Sequence, residues 1–159
     1  VTTSERSPQS ESESGSEFLT ASAEETRALA RRLAPTLRPG DVVLLVGELG
    51  AGKTTFVQGL AEGLGLDPQR VSSPTFVLIQ EYAEEGAVPL YHVDAYRVRD
   101  PRELVEVGLE EYFERPGVTV IEWGDKVRER VPPDAIEVRF EVLEGDRRRI
   151  RIRRLQRPT

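Results

Sequence analysis

The run Val42-Val43-Leu44-Leu45-Val46-Gly47-Glu48-Leu49-Gly50-Ala51-Gly52-Lys53-Thr54-Thr55 passes from five apolar residues into glycines and restarts with the spacing of a helix. It fits the phosphate-loop pattern G-x-x-x-x-G-K-[ST], with Gly47, Gly52, Lys53 and Thr54 at the fixed positions. Gly50 and Gly52 permit positive φ, so that successive amides turn inward around an anion. A helix starting near Lys53 adds its dipole and its unpaired N–H groups. The expected nucleotide cradle is therefore Glu48, Leu49, Gly50, Ala51, Gly52, Lys53, Thr54 and Thr55, with Lys53 reaching the terminal phosphates and the Thr54 hydroxyl ligating Mg²⁺. Phe56, Leu60 and Leu64 recur every fourth residue, as the helix after such a loop requires. The chain has only two lysines, and one occupies the required place.

Around this run, 159 residues suffice for one domain with a substantial core. Cysteine is absent, which removes disulfides, thiolate chemistry and Cys-based zinc sites. No apolar stretch approaches the ~20 residues of a membrane span, so no membrane role is expected and a cytoplasmic location is the default. A net charge of −6 argues against gripping nucleic acid by general electrostatic attraction.

Residues 1–16 are Ser/Glu-rich and nearly free of apolar side chains, which predicts a disordered tail ahead of a single domain over 17–157. Glu17 to Thr20 reads as a short strand, followed by a helix capped by Ser22 or Thr20 and carrying Ala28, Leu29, Leu33 and Leu37. Beyond the phosphate loop, Gly63, Gly65 and Pro68 end its helix, and Ser72-Ser73-Pro74-Thr75 is irregular. Phe76–Tyr82 and Val88–Asp94 form an antiparallel hairpin turning at Glu84-Glu85-Gly86. Alternation puts Tyr91 and Val93 on one face of its second strand and His92, Asp94 and Tyr96 on the other. Pro101 opens a helical piece, and Val118-Thr119-Val120-Ile121 has the apolar character of a central strand. A brief helix spans Asp125 to Arg130. Ile136–Val142 and Arg149–Arg153 make a second hairpin, with Arg149, Arg151 and Arg153 turned outward opposite Glu137 and Glu141. Strands alternating with helices around a phosphate loop predict a three-layer α/β fold, and the two hairpins require a sheet that mixes parallel and antiparallel strands.

Hydrolysis needs more than a phosphate loop: a carboxylate to manage the metal and a group to place the attacking oxygen. Glu122 stands where the apolar strand ends, at the edge where open α/β sheets bind ligands; it reads as the metal acid or as a solvated strand exit. Asp94 reads as an acceptor for a proton from water, as a holder of metal-bound water, or as a turn-initiating aspartate. Thr75 reads as a switch threonine sensing the γ-phosphate or as a strand-start hydroxyl. His92, the one histidine, is a partner for Asp94 or an ordinary strand residue. Trp123 lines the nucleotide site or an adjoining partner surface. The arginines between 147 and 157 are either cross-strand ion-pair partners or a basic patch.

Taken in order, Gly47-Glu48-Leu49-Gly50-Ala51-Gly52-Lys53-Thr54-Thr55, Ser73-Pro74-Thr75-Phe76, His92-Val93-Asp94-Ala95-Tyr96-Arg97 and Ile121-Glu122-Trp123 resemble the motif set of the TsaE family, formerly YjeE, from about Phe18 to about Leu155. The resemblance implies a P-loop NTPase-like fold and a small bacterial ATPase required for making threonylcarbamoyladenosine in tRNA. It implies ATP/ADP and Mg²⁺ as ligands, with the ion on Thr54 and Glu122. Catalytic or switch roles fall on Lys53, Thr75 and Asp94, and Trp123 is needed for activity. The base would lie near Ser22 to Thr26 and Arg147 to Arg149. The implied partners are TsaD, the transferase, and its paralogue TsaB; tRNA is met only through their complex, which ATP binding assembles and hydrolysis resets. One departure is Gly124, where relatives usually have proline, and this predicts a looser turn after Trp123. A small-molecule P-loop kinase is the rival reading, but it needs an arginine-bearing lid, and the arginines here follow a strand pattern. A GTPase is disfavoured because no Asn-Lys-x-Asp motif occurs.

Overall fold

The computed structural model describes residues 15–48, 50–71, 79–96, 98–100 and 102–155. Its elements, in chain order, are β1 (Gly15–Thr20), α1 (Ala23–Leu33), β2 (Val42–Val46), α2 (Lys53–Gly63), β3 (Ile79–Tyr82), β4 (Leu90–Asp94), α3 (Arg102–Glu106), α4 (Leu109–Tyr112), β5 (Val118–Glu122), a 3₁₀ segment (Gly124–Arg130), β6 (Ile136–Val142) and β7 (Arg148–Arg154).

All seven strands join one sheet in the order β1-β7-β6-β2-β5-β4-β3. The inner four, β6, β2, β5 and β4, run parallel, while β3, β7 and β1 are antiparallel additions at the flanks. This is the expected mixed α/β arrangement. Every residue of β2 and β5 is buried, which is why β2 reads as an unbroken apolar run and β5 as a mostly apolar one.

Alternation along the strands builds a core on each face. Val43, Leu45, Val120, Val138 and Phe140 pack with Leu29, Phe56 and Leu60 beneath α1 and α2, whereas Leu44, Val93 and Ile121 pack with Leu104, Leu109 and Val127 of the short helices opposite. Phe56 and Phe140 meet edge to face with ring centroids 5.5 Å apart. The parity that sends Val118 and Val120 toward α2 sends Glu122 there too, and the same holds for Leu90, His92 and Asp94 on β4.

α1 opens with a reciprocal cap: the Glu25 amide donates to Ser22 Oγ (3.1 Å) and the Ala21 amide donates to Glu25 Oε1 (2.7 Å). Gly59 and Gly63 of α2 lie against α1 so closely that a Cβ on Gly59 would stand 2.3 Å from the Arg27 carbonyl oxygen, and one on Gly63 would stand 2.5 Å from Ala34 Cβ. The pair of helices can approach this closely only because these side chains are missing.

Several boundaries differ from the sequence reading. β1 begins at Gly15, two residues inside the expected tail, because Gly15 and Ser16 pair with Arg153 and Ile152 of β7. β4 starts at Leu90 and not Val88: Pro89 has no amide to give, and the Val88 amide donates to the Leu64 carbonyl at the end of α2 (3.1 Å). The helical piece after Pro101 is two short helices separated at Gly108, whose φ is 83°. Glu137, expected to face outward, is only 1 % exposed: Arg128 of the 3₁₀ segment and Arg139 and Arg153 of β6 and β7 close over its carboxylate. Glu141 and Glu17 do pair with Arg149, and Glu17 also pairs with Arg151, as cross-strand charge pairing requires.

Candidate functional site

The parallel strands end at one edge of the sheet, and the chain from β2 turns there into α2. Ala51 is buried, and its amide donates to the Glu48 carbonyl (3.1 Å). Gly50 and Gly52 have φ of 79° and 106°, the left-handed values the sequence predicts for a loop whose amides converge. Gly47 is required for a different reason: a Cβ there would come within 2.9 Å of Phe140 Cβ on the neighbouring strand. Thr54 and Thr55 lie half-buried in the first turn of α2. Leu49 and Thr75, both expected in the site, lie outside the described residues, as does the whole segment 72–78.

Lys53 is 5 % exposed. Its Nζ donates to the carbonyls of Gly47 and Glu48, each at 2.7 Å, and sits 4.0 Å from the centroid of the Trp123 ring. Burial pushes the ammonium below its ordinary value, while the charges of Glu122, Asp94, Asp125 and Glu48 pull the other way. A cation held by two carbonyl oxygens and a ring face can exchange those partners for phosphate oxygens without new desolvation.

Glu122 is 4 % exposed, so it is no solvated strand exit. Its Oε2 accepts from Thr54 Oγ1 (3.3 Å) and lies 2.6 Å from His92 Nε2. The acid from β5 and the hydroxyl from α2 are 68 positions apart in sequence and meet because β2 and β5 are neighbours, with Leu45 opposite Glu122. His92 was expected as a partner for Asp94 or as an ordinary strand residue; its partner is Glu122, and the strand face it shares with Asp94 was the signal available in the sequence.

Asp94 stands beside Glu122 in the β4–β5 register. Its Oδ1 accepts the Tyr96 amide (2.9 Å), so it does initiate the turn that ends its strand. Burial raises its carboxyl above the ordinary aspartate value, the Tyr96 amide lowers it, and the Glu122 charge adds to the rise. Tyr96, 45 % exposed, places its ring 5.0 Å from Trp123, continuing outward the stack that begins at Lys53. Trp123 itself has φ 62° and ψ 41°, the one non-glycine residue at positive φ among those described. Gly124, where a loose turn was expected, is packed tightly: a Cβ there would stand 2.7 Å from Leu44 Cβ.

One contributor was expected only loosely, as part of a span near a base. Arg148, at the start of β7, donates from Nε to the Ala51 carbonyl (3.2 Å) and from Nη2 to the Gly50 carbonyl (3.3 Å), while Nη1 donates to the carbonyls of Gly145 and Arg147. The guanidinium thus ties the β6–β7 turn to the loop's backbone. Of the span expected near a base, Arg147 to Arg149, it is Arg148 that reaches the loop. Among the described residues there is no group of three or more His, Cys, Asp or Glu side chains poised for a metal. An ion here would rest on the Thr54 hydroxyl and one carboxylate, hard oxygen donors that suit Mg²⁺ with phosphate oxygens and water completing its shell.

Residues 20–150 match the family described as threonylcarbamoyl adenosine biosynthesis protein TsaE. The chain is 45 % identical over 131 residues to the tRNA threonylcarbamoyladenosine biosynthesis protein TsaE of Bacillus subtilis (strain 168), covering 82 % of this chain and 80 % of that one. It is 48 % identical over 108 residues to the protein of the same name from Nostoc sp., 65 % of each chain. The crystal structure of YdiB from Bacillus subtilis superposes with a TM-score of 0.73 at 37 % identity, over 89 % of this chain and 86 % of that one. The motifs, the mixed sheet that carries them and these matches agree: the chain belongs to the TsaE family of threonylcarbamoyladenosine biosynthesis proteins.

Proposed function

We propose that this chain is a Mg²⁺-dependent ATPase of the tRNA threonylcarbamoyladenosine machinery, which acts on a complex of TsaB and TsaD to assemble and reset it between turnovers. The observation that carries the ATPase reading is the meeting of Thr54 and Glu122, 3.3 Å apart, directly beside the buried ammonium of Lys53. The partner assignment rests on family membership.

In this reading the amides from Glu48 to Thr55 bind the β- and γ-phosphates, and Lys53 leaves the carbonyls of Gly47 and Glu48 to meet the terminal one. Thr54 and Glu122 would hold Mg²⁺, which supplies charge neutralisation on the phosphate oxygens. Asp94, on the same edge and biased toward protonation by burial, receives the proton of the attacking water. Trp123 and Tyr96 cover the approach to Lys53 and keep bulk water from it. Among the described residues the arginine that touches the loop, Arg148, binds its carbonyl side, so it is not placed to join Lys53 in meeting the charge that develops on the transferred phosphoryl group. Turnover of the isolated chain is accordingly slow and rises with partner, as for other switch NTPases.

The deciding experiment measures phosphate release from ATP with and without the TsaB–TsaD pair. Stimulation of tenfold or more, lost in Lys53→Ala, supports the proposal. Nucleotide binding with no turnover in either condition overturns the ATPase assignment in favour of a nucleotide-holding module.

A further inference from the structure

His92 lies on β4 with no exposed surface, although nothing in the proposed reaction uses it. Its Nε2 is 2.6 Å from Glu122 Oε2, the oxygen that also accepts from Thr54 Oγ1. Its other ring nitrogen, Nδ1, is buried and has no hydrogen-bond partner. That asymmetry fixes the tautomer. A proton on Nδ1 would bury an N–H donor with nothing to accept it, and orphaned buried donors are rarer than under-used acceptors. The proton therefore sits on Nε2 and is donated to the carboxylate, leaving an imidazole lone pair facing the apolar interior. The ring is fixed in turn by its strand: His92 pairs with Val120 in the β4–β5 register, two residues before Glu122, and the Tyr82 ring centroid is 6.5 Å from its own.

From this geometry we infer that His92 is a positioning residue for the divalent cation: its Nε2–H anchors Glu122 Oε2 and so sets the direction in which the carboxylate faces the Thr54 hydroxyl. The inference rests on the proposed assignment of Thr54 and Glu122 to Mg²⁺. A carboxylate on the last residue of a strand has freedom about its χ angles, and a buried donor from the adjacent strand removes that freedom before an ion arrives. Partners that orient a metal ligand in this way typically change metal affinity by about 10- to 100-fold when removed. Stability alone would also be served by a buried His–Glu pair, so the test must read the metal.

The experiment is a calorimetric titration of the intact chain with adenylyl imidodiphosphate at a series of Mg²⁺ concentrations, for wild type, His92→Gln, His92→Asn, His92→Leu and Glu122→Gln. Glutamine carries its amide N–H at the ε position and can replace the lost donor; asparagine, similar in polarity, carries it too close to the backbone. Metal-free affinity is expected to stay within about twofold across wild type and the three His92 variants. The Mg²⁺ concentration that half-saturates the metal-dependent gain should rise about tenfold in His92→Asn and His92→Leu and return to within about threefold of wild type in His92→Gln. Should His92→Leu fail to fold, the Asn–Gln contrast decides alone. Equal Mg²⁺ requirements in wild type and His92→Asn, with Glu122→Gln raised, overturn the role of His92 while leaving the metal site standing. An unchanged requirement in Glu122→Gln overturns the metal assignment itself.

Discussion

An ammonium group that already has two carbonyl oxygens and an aromatic face for company binds phosphate by exchange. Lys53 is in that position, and the exchange costs little because the partners it leaves, Gly47 and Glu48, belong to the loop that receives the phosphate. Asp94 shows the opposite use of burial. Its carboxyl sits above the ordinary aspartate range, so it holds its proton to higher pH than a solvated aspartate and regains reactivity only as pH rises through the shifted value. The rate of ATP hydrolysis should thus have an acidic limb centred above the ordinary aspartate pKa, with turnover rising with pH across it. Asp94→Asn should remove that limb and lower kcat by about 100-fold or more, with nucleotide affinity nearly unchanged. A pH–rate profile beside a binding titration checks both, and a limb that survives the substitution assigns the proton to another group.

At the scale of elements, the contact between α1 and α2 makes a prediction in which two effects compete. Gly59→Ala would gain about 1 kcal/mol of helix propensity, but its Cβ would stand 2.3 Å from the Arg27 carbonyl oxygen and 2.7 Å from Ala30 Cβ. The atoms in the way are backbone and a short side chain, which cannot swing aside, and overpacking of this kind costs about 1–3 kcal/mol. The variant should therefore be less stable than wild type in urea denaturation despite its better helix former. The sequence showed Gly63 only as a breaker near a helix end and gave Gly59 no role; their partners, Ala30 and Ala34, lie outside α2 and carry no local signal. Where the information was local, it could be read: the glycines and lysine of the loop, the Ser22 cap, the apolar run of β5 ending in Glu122, and the alternation that puts His92 and Asp94 on one side of β4, though Tyr96 lies past the strand in the turn. What escaped depends on which strands are neighbours. His92 finds Glu122 because β4 adjoins β5, and Arg148 finds the loop because the β6–β7 turn comes back to it, 97 residues downstream of Ala51.

Across the whole molecule, the sheet anchors the segment that leads away from the site. The 3₁₀ segment that follows Trp123 is fastened at its far end by Arg128 to Glu137, an acid 2 % exposed at its side chain, whose arginine partners are 35 %, 48 % and 45 % exposed. Burial alone would raise the Glu137 carboxyl; the Arg128 charge and the Arg153 hydrogen bond outweigh it and hold the group below its ordinary value. The folded chain thus binds fewer protons here than the unfolded one, so the pair stabilises the fold above the ordinary glutamate pKa and ceases to do so as pH falls through the lowered value. Glu137→Ala should cost about 2 kcal/mol near neutral pH, less than a fully buried pair because its arginines can return to water. That corresponds to a melting temperature lower by roughly 6 °C, and the gap between variant and wild type should close in acid. A gap that persists below the carboxylate range would mean that packing, and not charge, supplies the stability.

The backbone of Trp123 has a last consequence for anyone breeding this protein toward heat. At most positions alanine outranks glycine, yet where φ is 62° the order inverts, and Trp123→Gly should outlast Trp123→Ala by about 1 kcal/mol. The native indole offsets the strain of that backbone through its contacts with Lys53, Tyr96 and the core, so removing it costs stability in either variant and glycine recovers only the backbone's share.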